Sequence, residues 1–251
     1  MSGAAVAVRR AVRVDLLISA LVLLAGSAGA VSPATTLLFV NANLVLLSLL
    51  ALAAALLFRA ERSGRLIAGL GALAAGELVL AIGELVPRLG LEAEPAAEWI
   101  WIGSRLALLW FVLPLPQDRR PGRQAVLAAA LTGATAMGLV WVGIGASLPP
   151  SSGRLAALLL MDLAVLVTTV PQLAEPGAGR GRPQAHTFLW GLALYLATDL
   201  IHYASGELDL GFGLGELGYF TGLGLMAIGS AGEQTGAVAP AGIRRGSGDA
   251  G

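Results

Sequence analysis

The chain has 251 residues, of which 56% are hydrophobic and 13% charged, and its mean hydropathy of +0.78 lies above the range of soluble proteins. The formal net charge of zero is a cancellation that points to no partner, and we expect no nucleic acid to bind. The absence of cysteine excludes disulfides, thiolate metal ligands and cysteine nucleophiles. The absence of lysine excludes a retinal Schiff base and therefore a rhodopsin.

Eight hydrophobic stretches follow one another, and each is long enough to cross a hydrocarbon core of ~30 Å as a helix. They cover residues 14–32, 36–58, 65–87, 99–116, 124–147, 155–174, 187–206 and 213–231. Continuous apolar runs are typical of transmembrane helices, whereas a membrane β-barrel alternates apolar and polar residues. The sequence therefore predicts an all-α, polytopic membrane protein with eight transmembrane helices in the lipid bilayer.

The first stretch has a second interpretation as a signal peptide. Arg9 and Arg10 precede an apolar run, and the small residues 27–30 resemble a cleavage site. Asp15 near the start of the run and the seven stretches that follow favour an uncleaved helix.

Thirteen of the sixteen arginines lie on one side of the predicted spans. They are Arg9, Arg10, Arg13, Arg59, Arg62, Arg65, Arg119, Arg120, Arg123, Arg180, Arg182, Arg244 and Arg245. Only Arg88 and Arg154 lie on the other side, and Arg105 lies within a span. The positive-inside rule then places the N-terminal segment 1–13 and the C-terminus in the cytoplasm. Because the chain is rich in arginine, alanine and glycine, we expect a bacterial inner (plasma) membrane.

An internal repeat divides the membrane region into two units of four helices, residues 14–116 and 124–231. The matched residues, first unit before second, are Gly69 and Gly191, Glu77 and Asp199, and, more weakly, Asn43 and Asp162. Because four is an even number, both units have the same topology, which makes this a parallel repeat. Residues 232–251 contain too few apolar residues to pack, and we expect them to form a disordered cytoplasmic tail.

Ionisable side chains within the predicted spans are the candidates for function, since such groups are costly in lipid and usually face protein or water. The candidates for ligand binding or proton coupling are Glu77, Asp162, Asp199 and His202. Most polar residues fall in the outer half of the spans, and the inner half is mainly Leu, Ala and Val. We therefore expect an outward-facing polar pocket above an apolar plug. One histidine within the spans and no cysteine are too few ligands for a metal or haem, so we expect no cofactor.

Three further charged residues have a structural interpretation. Arg105 is expected to pair with Glu84 or Glu216, which would hold neighbouring helices in register.

The eighth stretch also carries a glycine stripe on one helical face, formed by Gly211, Gly215, Gly218, Gly222 and Gly229. Small residues let helices approach closely. We interpret the stripe as packing within the bundle, with a homodimer surface as the alternative.

Three short motifs lie in the last two stretches: Phe188-Leu189-Trp190-Gly191-Leu192, Thr198-Asp199-Leu200-Ile201-His202-Tyr203 and Leu217-Gly218-Tyr219-Phe220. They resemble the bacterial membrane modules found N-terminal to GGDEF and EAL domains, the synthases and hydrolases of cyclic di-GMP. The resemblance covers essentially all eight spans and implies a sensory or regulatory membrane domain. This sequence contains no GGDEF, EAL or kinase sequence, so we expect the chain to act through a partner or to be the membrane part of a longer protein.

These observations predict a membrane sensor or regulator rather than an enzyme, because motifs for soluble catalysis are absent from the sequence. The expected partner is a cytoplasmic or membrane signalling protein. Ligand binding must favour one of two helix packings to send a signal. A small proton-coupled transporter is the first alternative, and a membrane scaffold or assembly partner without a ligand is the second.

Overall fold

The computed structural model describes residues 3–58, 64–85, 93–112, 152–174, 183–205 and 211–231. Within these ranges the chain forms seven helices and no strand, which confirms the predicted all-α fold class. The helices are α1 (Gly3–Ser27), α2 (Pro33–Phe58), α3 (Gly64–Leu85), α4 (Ala93–Val112), α5 (Ser152–Ala174), α6 (Pro183–Ser205) and α7 (Gly211–Ser230). Each overlaps one predicted stretch. The fifth predicted span, 124–147, and the predicted tail, 232–251, lie outside the described residues.

Two of the described helical segments are long and apolar enough to cross a membrane: Pro33–Phe58 and Gly64–Gly83. Shorter apolar segments lie at Trp99–Val112 and Leu158–Thr169. The structure thus contains candidate membrane helices, and the crossing by all eight segments stays a prediction.

Helix α1 differs from the predicted first span at both ends. It begins at Gly3 rather than at residue 14, so the predicted N-terminal segment is mostly part of the helix. The reason is packing: Ala5, Val8 and Val12 are buried, and Val12 lies against α7. The hydropathy pattern does not predict these roughly three additional turns, because three arginines interrupt the apolar run.

The turn between α1 and α2 explains why the first helix also ends early. Gly29 has a φ of +72°, and the amide nitrogen of Ala30 donates to the carbonyl oxygen of Ala25 at 2.8 Å. This is the hydrogen-bonding pattern of a glycine C-cap. The Oγ of Ser32 accepts a hydrogen bond from the amide of Thr35 at 3.2 Å. Ser32 thus caps the N-terminus of α2, and Pro33 occupies the first position of the helix. The small residues that resemble a cleavage site therefore form a helix cap.

Six helices form a closed ring. Each of α2 to α7 packs against the next in chain order, and α7 returns to α2. Helix α1 lies outside the ring, mainly against α7 and to a lesser extent against α2. The most extensive contacts are between α3 and α4 and between α6 and α7, two pairs that lie opposite each other.

Glycines set the closest approach in the ring. A Cβ on Gly191 of α6 would lie 2.6 Å from the carbonyl oxygen of Gly222 of α7, so these helices touch backbone to backbone. A Cβ on Gly218 would collide with Thr198 of α6. Two members of the glycine stripe thus pack within the bundle. A Cβ on Gly215 would meet nothing within 4 Å in the described part of the chain.

Candidate functional site

A cavity of about 270 Å³ lies in the centre of the ring. Its described lining residues come from five of the six ring helices, all except α5. Its aliphatic wall comes from α2 and α3, and three aromatic side chains come from α4, α6 and α7. The polar and charged lining residues are Asn41, Glu77, Arg105, Asp199, His202 and Glu216. The structure therefore brings three of the four predicted ligand-site residues into one cavity.

The cavity occupies one end of the ring. Helices α2 and α7 line it with their N-terminal halves, α3 and α6 with their C-terminal halves, and α4 with residues near its middle. The opposite halves of the same helices contribute buried apolar side chains, such as Ala54, Leu66, Phe188 and Met226. A polar cavity thus lies above an apolar layer along the axis of the bundle.

Arg105 lies at the buried end of the cavity, where it is 1% exposed. Its Nε donates to Oδ1 of Asp162 on α5 at 2.7 Å, and its Nη2 donates to Oδ2 of Asp199 on α6. Its Cζ lies 5.1 Å from the ring centroid of Tyr195. One guanidinium therefore ties α4 to two other helices, and Asp162 takes part from behind the cavity wall.

The observed partners of Arg105 differ from the predicted ones. The expected acids were Glu84 and Glu216, whereas the structure pairs Arg105 with Asp162 and Asp199. The physical reason is the order of the ring: α5 is the direct neighbour of α4, and the side chain of Arg105 reaches across the centre to α6. Glu216 lines the same cavity, and the side chain of Glu84 lies outside the described residues.

Two tyrosines complete the network around the acids. The hydroxyl of Tyr219 donates to Oδ1 of Asp199 at 2.6 Å, and the hydroxyl of Tyr195 donates to Oε1 of Glu77 at 3.0 Å. The two tyrosine rings lie 5.2 Å apart in an edge-to-face arrangement. Neither tyrosine is among the site residues predicted from the sequence. Tyr195 had a usable signal, since it lies four residues before Asp199 and therefore on the same helical face.

Exposure increases from the buried end of the cavity to its rim. Glu77 and Asp199 are 4% and 5% exposed, Tyr219 and Glu216 are half-buried, and His202 is exposed. The His202 ring lies 6.3 Å from that of Tyr219, so the histidine belongs to the rim. Within the described ranges, no group of three or more His, Cys, Asp or Glu side chains is arranged to hold a metal ion.

Two buried donors in the cavity wall have no hydrogen-bond partner among the described residues: Nη1 of Arg105 and Nε1 of Trp101. The Trp101 indole lies directly against Gly76 of α3, where a Cβ would collide with it. A buried donor without an acceptor is destabilising by about 1–3 kcal/mol. The wall of the cavity therefore carries unused hydrogen-bonding capacity.

Two asparagines of α2 have different surroundings. Asn43 faces α1, where its Nδ2 donates to Oγ of Ser19 at 2.8 Å and to Oδ2 of Asp15 at 3.3 Å. Asn41 lines the cavity instead. Asp162, which the weaker repeat match aligns with Asn43, reaches the centre of the ring through Arg105. With respect to the centre of the ring, the position of Asp162 on α5 therefore matches that of Asn41 on α2 better than that of Asn43.

No known protein family, curated protein or solved structure matches this chain. The resemblance to membrane modules of cyclic di-GMP proteins therefore stays a prediction, and the chemistry of the cavity is the basis for a functional interpretation. A guanidinium fixed between two carboxylates, with tyrosine and tryptophan side chains beside it, can bind and orient a small polar molecule.

Proposed function

We propose that this chain is a multi-pass protein of a bacterial plasma membrane, that all eight hydrophobic segments cross the bilayer, and that both termini are cytoplasmic. The distribution of polarity supports this. Arg105 and Asp162 are buried, whereas Leu24 and Leu57 are each 67% exposed. Soluble proteins bury leucine and expose charge, and membrane proteins direct their charges into the bundle. The arginine asymmetry supports the orientation.

The two four-helix units are part of this proposal. The opposite pairs α3–α4 and α6–α7 have the most extensive contacts in the ring, and each is closed at the matched glycine, Gly69 or Gly191. Two repeat units with the same topology would each form one such helix pair.

The proposed activity is ligand sensing without catalysis. The observation that carries it is the network of Arg105, Asp162 and Asp199 at the buried end of the cavity. With the bonds of Tyr195 and Tyr219, this network joins five helices. A ligand that contacts it therefore interacts with the packing of most of the ring and can favour one arrangement over another. A cytoplasmic or membrane signalling partner would receive the change.

A thermal-unfolding screen of the detergent-purified chain against small metabolites and ions tests this function. A ligand at 100 times its Kd should add about 2.7 kcal/mol to the free energy of unfolding. The stabilisation should be lost in Glu77→Gln and kept in Asp15→Asn, which changes a carboxylate that contacts Asn43 rather than the cavity. If no compound stabilises the wild-type chain, ligand binding is wrong and the scaffold is favoured.

A proton-coupled transporter is the second candidate. It is favoured by Glu77 and Asp199, which occupy matched positions of the repeat and line one central cavity. Parallel-repeat carriers bind substrates at such repeat interfaces. Proteoliposomes loaded with a stabilising ligand separate the two functions: a sensor binds it without flux, and a transporter moves it when a pH gradient is applied.

A further inference from the structure

We propose that the ligand of the cavity is a small organic cation that also carries a neutral oxygen atom, such as a hydroxylated amine. This proposal rests on the ligand-binding function above and names the class of ligand. Charge, aromatic surface, hydrogen-bonding capacity and size each contribute to it.

The charge balance excludes an anion. Among the described residues that line the cavity, Arg105 is the one arginine, and it already faces carboxylates on two sides, Asp162 and Asp199. Glu77 adds a third carboxyl group, which accepts a hydrogen bond from Tyr195. Three carboxyl groups therefore surround one guanidinium at the buried end of the cavity, and Glu216 adds a fourth to the cavity lining. Unbalanced charge is costly in such a buried site. A cationic ligand reduces the excess of negative charge in the site, whereas an anionic ligand increases it.

The aromatic side chains provide a surface for a cation. Trp101 and Tyr219 line the cavity on opposite sides of the ring, from α4 and α7. The face of Tyr195 is already occupied by the Arg105 guanidinium, 5.1 Å from the ring centroid. Ammonium groups bind to the faces of Trp and Tyr, and the attraction is strongest where water is excluded. Carboxyl groups next to aromatic side chains that line the same cavity are a suitable environment for an organic ammonium ion.

The unpartnered Nη1 of Arg105 defines the second part of the ligand. This donor is buried in the cavity wall and has no acceptor among the described residues. The atom has almost no accessible surface, so the guanidinium must turn toward the cavity that Arg105 lines before an oxygen atom of the ligand can accept from Nη1. Because Arg105 already has two carboxylate partners, a neutral hydroxyl or carbonyl oxygen satisfies the donor without adding negative charge.

The volume limits the size of the ligand. A cavity of about 270 Å³ lies just below the range of ~300–1,000 Å³ typical of drug-sized ligands. Since one water molecule occupies about 30 Å³ of liquid, the space suits roughly nine non-hydrogen groups. A small hydroxylated amine fits this limit, and a nucleotide does not.

The test compares choline with 3,3-dimethyl-1-butanol, which has the same shape and hydroxyl group but no charge. Both are titrated against the full chain in detergent, with thermal unfolding as the readout. Tetramethylammonium, ethanolammonium and acetate complete the series. We expect choline to bind roughly tenfold or more tightly than its neutral isostere. Tetramethylammonium should bind more weakly than choline because it lacks the oxygen, and acetate should not stabilise the chain.

Two variants test whether choline binds in the cavity. Glu77→Gln should weaken choline binding, and Asp15→Asn should leave it unchanged. If Glu77→Gln does not fold, the comparison of choline with its isostere on the wild-type chain decides alone. Equal binding of the isostere, or stabilisation by acetate, overturns the cationic ligand while ligand binding stands. If acidification stabilises the chain and no cation does, protons balance the carboxyl groups and the proposal is wrong. If no probe and no metabolite binds, the ligand-binding function itself fails.

Discussion

The two opposite helix pairs, α3–α4 and α6–α7, share a residue pattern but differ in how closely their two helices approach each other. Each has a glycine at the helix contact and an acid eight residues later: Gly69 and Glu77 in one, Gly191 and Asp199 in the other. The glycine of α3 contacts the side chain of Leu108, whereas the glycine of α6 contacts backbone of α7. The α6–α7 pair is therefore the more tightly packed.

The acids of the two pairs, Asp199 and Glu77, differ in the groups that hold them. Asp199 is fixed by Tyr219 of the neighbouring helix α7 and by Arg105 of α4, which reaches it across the ring. Glu77 accepts a hydrogen bond from the hydroxyl of Tyr195. A charge that is held by a guanidinium stabilises the fold, and a carboxyl group held by a neutral hydroxyl is more available to a ligand. The comparison assigns Asp199 mainly to structure and Glu77 mainly to binding.

The largest effect is expected from Arg105→Met. It leaves Asp162 and Asp199 buried without their cation, and breaking a buried ion pair costs about 3–5 kcal/mol. Denaturant unfolding of the detergent-purified variant measures this loss. The triple variant Arg105→Met, Asp162→Asn, Asp199→Asn is the control and should regain part of the stability, because the two carboxylates are removed together with their cation. Wild-type stability of the single variant would show that the network does not hold the ring together.

Exchanging each acid for its amide tests the different roles of Asp199 and Glu77. Asp199→Asn should lower the free energy of unfolding by about 1.5–3 kcal/mol, since a hydrogen bond between two charged groups is lost. Glu77→Gln should change it by less than about 1 kcal/mol, because the amide oxygen still accepts from Tyr195. Equal losses in the same unfolding assay would contradict the assignment of the two acids.

Adding one methyl group to each glycine tests the closeness of the two pairs. Gly191→Ala should cost about 1–3 kcal/mol, since its Cβ meets backbone that cannot move away alone. Gly69→Ala should cost less, because the contacting Leu108 side chain can adopt another rotamer. Thermal unfolding of the two variants in one detergent gives the difference. A larger loss for Gly69→Ala would reverse the order of packing.

The sequence by itself determined the all-α fold and the positions of the seven described helices, because long apolar runs leave helices as the simplest way to satisfy the backbone. It also selected Glu77, Asp162, Asp199 and Arg105 as residues of interest, since ionisable groups in apolar helices are costly without a reason.

Only the tertiary structure decided which of these groups meet. Hydropathy records the length of each helix but neither the order of helices in a ring nor the direction of each face. The pairing of Arg105 with Asp162 and Asp199 depends on both. The start of α1 at Gly3 likewise depends on Val12 packing against α7, a contact between residues more than two hundred positions apart. Tyr195 and Tyr219 joined the site because the ring places their hydroxyls beside the acids.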